Sequence, residues 1–136
     1  MVEFNNQTNF DINFSILDGL GVKILKKYDK KNFDVSVAFI DPPIIKKLNK
    51  KYRSQDKITD VLSFSNIGQD NKFLGEIIIC PEKIKAQAIS LNKTFEEELI
   101  FIFVHGLLHL LGYNDEEESE LEEMKTIGNH LIRSFL

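Results

Sequence analysis

Apolar and polar positions along this chain repeat with two periods, and the switches between them mark out its elements. Residues 33–40, FDVSVAFI, alternate at period two, the signature of a half-buried strand. Residues 60–65 (DVLSFS) and 75–80 (GEIIIC) read as two more strands, and residues 2–8 as a short first one. Between them the period lengthens. Apolar residues at 12, 16, 17, 20, 24 and 25 predict an amphipathic helix over 12–27 despite Gly19 and Gly21. Asp41-Pro42-Pro43 starts a second helix, with Asp41 as N-cap and Pro42 at its first position. That helix runs to about Tyr52 and places Ile44, Ile45, Leu48 and Tyr52 on its apolar side.

Pro81 opens a third helix, ending near Leu91. Thr94-Phe95-Glu96-Glu97 has the form of a capping box and starts a fourth, which runs to a left-handed stop at Gly112. Asn114 or Asp115 is expected to cap a last helix over 116–134, with apolar positions 121, 124, 127, 131 and 135. The order β-α-β-α-β-β-α-α-α predicts an α+β fold: a small, mostly parallel mixed sheet of about four strands with about five helices. No repeat or Pro/Gly/Ser linker interrupts it, so residues 1–136 are expected to form one domain.

Composition changes this picture little. An apolar fraction of 43% and a charged fraction of 28% suit an ordinary globular chain. The start of the chain lacks the basic and apolar regions of a signal peptide, and no apolar run is long enough to span a bilayer. A cytoplasmic location is therefore expected, without membrane contact. Cys80 is the single cysteine, so no intrachain disulfide can form and no disulfide-linked partner is expected. Its place at the end of GEIIIC predicts a buried structural thiol.

Charge is more informative. The net charge of −4 divides unevenly, for residues 23–57 carry eleven Lys/Arg against four Asp, while 94–136 carry two basic residues against ten acidic. A local basic region can attract a polyanion even on an acidic protein.

The chemistry concentrates in residues 105–115, HGLLHLLGYND. His105 and His109 are one helical turn apart, so both imidazoles leave the same face and can share one ion. Gly112 allows a sharp turn that can return Asp115 to the same point. Three ligands with an open position are the layout of catalytic metal sites. Taken singly, the histidines could be satisfied core residues and Asp115 an N-cap with Glu118; the combined spacing favours metal. The pattern is close to that of zinc peptidases, but Gly106 stands where those keep a general-base glutamate, which disfavours peptide hydrolysis.

HGLLHLLGYND followed by EEESELEEM resembles the C-terminal signature of the YbeY family of bacterial endoribonucleases. LNKKYRSQD (48–56) and TDVLSF (59–64) are similar to its central block, and LGEI (74–77) to the following strand, with Glu76 where aspartate is commoner. The resemblance covers roughly residues 35–125 and rests on three motifs in order.

That resemblance implies a metal-dependent hydrolase cutting single-stranded RNA, acting in maturation of the 3′ end of 16S rRNA and in ribosome quality control. Its partners would be rRNA and the small ribosomal subunit. It implies zinc held by three histidines, two of which fall on His105 and His109, while the third position is Asp115 and the aspartate before it Asn114. A carboxylate adds one negative charge, leaving the ion less Lewis-acidic, and a His2Asp set also suits Fe(II), Mn(II) or Ni(II). Arg53 is the expected phosphate clamp, making Arg53, His105 and His109 the catalytic group. Lys46, Lys47, Lys50 and Lys57, with Arg53, are expected to follow the RNA backbone. Asp60 and Glu76 are candidate bases whose more usual role is to pin a loop, and Met124 is expected in the core. The alternatives are an RNA-binding assembly factor with a structural metal, and a zinc peptidase.

Overall fold

The computed structural model describes residues 1–66 and 72–136. Along the chain lie β1 (Val2–Asn6), α1 (Phe14–Lys27), β2 (Asp34–Phe39), α2 (Pro42–Arg53), β3 (Val61–Ser65), β4 (Phe73–Ile79), α3 (Pro81–Ser90), α4 (Phe95–Leu110) and α5 (Glu118–Phe135). The strands form one sheet in the order β1-β2-β4-β3. β1 with β2 and β2 with β4 are parallel, and β3 closes the edge antiparallel to β4. The α+β class and the mixed, mostly parallel sheet are thus as the periodicity predicts.

Strand alternation divides the core in two. Val35, Val37, Phe39, Ile77 and Ile79 face a large cluster shared with α1, α4 and α5. Leu62 and Ile78 face the other side, with Ile40, Cys80 and Ile45 of α2. Cys80 is fully buried, as expected of a structural thiol, and burial raises its pKa above the ordinary value.

α4 is the centre of the larger layer. Ile102, Phe103, Val104, Leu107, Leu108 and Leu110 are all buried, so the helix is apolar almost all round, as a covered helix must be. Each such side chain contributes roughly 1.5–3 kcal/mol by leaving water. Its start is fixed by the expected capping box: Glu97 N–H donates to Thr94 Oγ1 at 3.1 Å, and Thr94 N–H to Glu97 Oε1 at 3.0 Å. Its end is followed by Gly112 at φ +105°, a conformation that a side chain would strain.

Two details differ from the sequence expectation. α2 is rotated, so Ile45 and Asn49 are buried while Ile44 and Tyr52 are exposed. Asn49 turns inward because its amide donates to Lys57 O at 2.9 Å, holding the turn before β3. Neither Asn114 nor Asp115 caps α5; Glu117 is the N-cap and forms a capping box with Glu120. Asp41 does occupy the N-cap of α2, but its side chain makes no capping bond. No helix among the described residues is long and apolar enough to cross a membrane.

Candidate metal centre

His105 and His109 lie in the last two turns of α4, with their rings nearly perpendicular (82°) and centroids 4.9 Å apart. Beyond Gly112 the chain doubles back, with Gly112 N–H on His109 O at 3.1 Å and Tyr113 N–H on Leu108 O at 3.1 Å. This brings Asp115 Oδ2 to 3.2 Å from His105 Nε2 and 3.1 Å from His109 Nε2. A single oxygen therefore faces two imidazole nitrogens, and one ligand atom from each residue lies within 4.8 Å of the others. Ligands about 2.0–2.2 Å from a tetrahedral ion stand roughly 3.3–3.6 Å apart. The two histidine–aspartate separations fall just short of that spacing.

The returning loop is clasped from outside. Tyr113 OH meets Tyr28 OH at 3.2 Å, with the rings edge to face. Burial, and then Tyr113 itself, push the Tyr28 pKa up to about 12, so the Tyr28 hydroxyl keeps its proton across the physiological range.

Protonation also favours ligation. Burial, followed by the charge of His109, holds the His105 pKa below its ordinary 6.5, and the pull of Asp115 and Asp60 does not reverse this. Burial would raise the Asp115 pKa, but His109 and the hydrogen bonds from both rings outweigh it and hold the carboxyl below 3.8. A neutral imidazole and an ionised carboxylate are the forms that bind metal.

The centre opens into a cleft of about 1200 Å³ running along edge strand β3. Arg53 stands on its wall, where Nη2 donates to Ser63 O at 2.6 Å and the guanidinium lies 5.1 Å from the Phe64 ring centroid. Ser63 Oγ donates in turn to Gly106 O at 3.2 Å, tying that wall to the helix of the histidines. Lys46, Lys47, Lys50 and Lys57 are exposed and do not line the cleft. Asp60 does line it, but Oδ2 accepts from Gln87 Nε2 at 3.2 Å and Oδ1 from Thr59 at 3.3 Å, the bonds of a pinned side chain. Glu76, on the face of β4 that alternates with Ile77, accepts from Ser36 Oγ at 3.4 Å and is not part of the cleft wall. Met124 is buried in the core as expected.

Sequence reasoning missed a polar chain on the opposite wall. Glu98 is only 3% exposed, yet its carboxylate takes Lys93 Nζ at 2.7 Å and Gln87 Nε2 at 3.1 Å. The signal was present: Glu98 precedes His105 by two helical turns and so shares its face. Phe101, beside this chain, stacks on His105 with centroids 6.4 Å apart.

Comparison with known proteins gives the family. A family model described as Endoribonuclease YbeY matches residues 3–135. The Endoribonuclease YbeY of Thermodesulfovibrio yellowstonii is 45% identical over 105 residues, covering 74% of this chain and 66% of that protein. That of Acholeplasma laidlawii is 41% identical over 103 residues, covering 76% and 75%. The solution structure of TM1509 from Thermotoga maritima matches with a TM-score of 0.64 at 30% identity, over 98% of this chain and 91% of that one. With nearly every residue inside the family match, this chain belongs to the YbeY endoribonuclease family.

Proposed function

We propose that the chain is a single-domain, metal-dependent endoribonuclease with its active centre at His105, His109 and Asp115. The observation that carries this is the convergence of Asp115 Oδ2 on both Nε2 atoms, with family membership supplying the RNA substrate. A divalent ion bound there supplies Lewis acidity toward a phosphodiester oxygen or a water. Zinc is the expected ion, with Fe(II), Mn(II) and Ni(II) also compatible with two nitrogens and one carboxylate oxygen.

Arg53 acts as the phosphate clamp. Its bond to Ser63 O and its seat on Phe64 fix the guanidinium plane, and its remaining N–H groups, without another partner among the described residues, can meet phosphate oxygens. The exposed Lys46, Lys47, Lys50 and Lys57 attract the strand as it approaches. The substrate is single-stranded RNA, with the 3′ region of 16S rRNA on the small ribosomal subunit as the cellular target. The setting is cytoplasmic ribosome maturation and quality control. A peptidase role is opposed by packing: any Cβ at Gly106 would stand 2.9 Å from Ile77 Cγ2, leaving no room for a catalytic glutamate.

Elemental analysis beside an RNA cleavage assay tests this. The wild type should carry about one transition metal per chain, and His105→Ala or His109→Ala should lose both metal and cleavage. Asp115→Ala should lose metal, whereas Asp115→His, which keeps a ligand there, should retain it. Full metal occupancy in Asp115→Ala would remove Asp115 from the centre.

A further inference from the structure

The last turn of α2 carries an aromatic ring beside a guanidinium at the edge of the cleft. Tyr52 is 53% exposed, although Ile45 and Leu48 of the same helical stripe pack inward. Its ring meets Phe64 with centroids 5.4 Å apart and planes at 69°, and Phe64 supports the Arg53 guanidinium. Phe64 and Arg53 line the same cleft as His105, His109 and Asp115. α2 also carries Lys46, Lys47, Lys50, Lys51 and Arg53, and no acidic residue.

A ring left in water within a cationic field suits a ligand that is flat and apolar on its faces but strung on a polyanion. An unpaired nucleobase in a nucleic-acid strand has that chemistry. A base in a duplex does not, because both its faces are covered by neighbours. We propose that Tyr52, backed by Phe64 and Arg53, is a stacking platform for one unpaired base of the RNA strand whose phosphate is cut at the metal centre. The proposal rests on the nuclease reading above and adds to it a physical source for single-strand selection. Lys51 Nζ now lies 5.0 Å from the Tyr52 ring centroid. An exposed contact of that kind is weaker than base stacking, so the base displaces the ammonium, which is then free to meet a phosphate.

The test uses the metal-loaded protein and a single-stranded oligoribonucleotide with one 2-aminopurine, followed by stopped-flow fluorescence before cleavage proceeds. Scanning the fluorophore along the strand should find a position that the wild type quenches. Tyr52→Ala should lose that quenching and bind about tenfold more weakly. Tyr52→Phe, which keeps the ring, should retain both. Quenching and affinity unchanged in Tyr52→Ala would overturn the platform while leaving the nuclease reading intact. Quenching by a wild type that cleaves no RNA would instead overturn the nuclease reading and leave the platform standing.

Discussion

A Cβ added at Gly106 would stand 2.9 Å from Ile77 Cγ2 and 3.3 Å from Ser63 Oγ. Ile77 is fully buried in β4 and cannot move aside, so α4 approaches the sheet this closely only because residue 106 lacks a side chain. Gly106→Ala should therefore destabilise the protein by roughly 1–3 kcal/mol, the usual cost of overpacking, measured as a lower urea midpoint. An unchanged midpoint would show that the helix can retreat freely. The sequence pattern alone showed Gly106 as a missing glutamate; the packing reason needs β4 in place. Asp115 has a similar history. Its spacing from the histidines was readable and favoured a ligand, but an aspartate before an acidic run also reads as a helix cap. Only the returning loop decides, turning its carboxylate to the imidazoles and leaving the cap to Glu117.

Elements were legible where one physical rule dominated. Thr94 and Glu97 announce the start of α4, and both reciprocal bonds form. Thr94→Ala should cost about 1 kcal/mol, since it removes the acceptor for a helix N–H, and should lower the melting temperature without altering metal content. Loss of metal on that change would mean that the cap positions the histidines and does more than secure the helix end. α2 was less legible because two rules competed. Hydrophobicity ranks Tyr52 above Asn49 for the interior, yet the Lys57 carbonyl needs a donor, and Asn49 supplies it. That rotation leaves Tyr52 in solvent beside Arg53. Periodicity cannot show which helix faces meet across a cleft, so Glu98 was readable as sharing the His105 face, but its bonds to Gln87 and Lys93 were not.

Across the whole molecule, charge and protonation act together on the centre. Residues 94–136 are strongly acidic and α2 is wholly basic among its charged residues, so a polyanion is drawn to the Arg53 side of the cleft. The pH dependence follows from His105 and Asp115. The folded state resists protonating His105, whereas the unfolded chain accepts a proton near the ordinary 6.5. The unfolded state thus binds more protons, and metal-free stability falls as pH drops below that value. Asp115 has the same sign: its contribution is present above the ordinary 3.8 and is lost as pH falls through its lower folded pKa. An ion held at the proposed centre would need the neutral imidazole and the ionised carboxylate, so acid would also expel it. At a free concentration a thousandfold above its dissociation constant, an ion adds about 4 kcal/mol near neutral pH. Melting temperatures of chelator-treated and zinc-reconstituted protein should therefore differ widely at neutral pH. Both should fall on acidification, the reconstituted curve more steeply, until they meet. Coincident curves at neutral pH would rule out a tightly held ion, and a metal-free melting temperature that rises from pH 7 to about 5 would contradict the protonation argument.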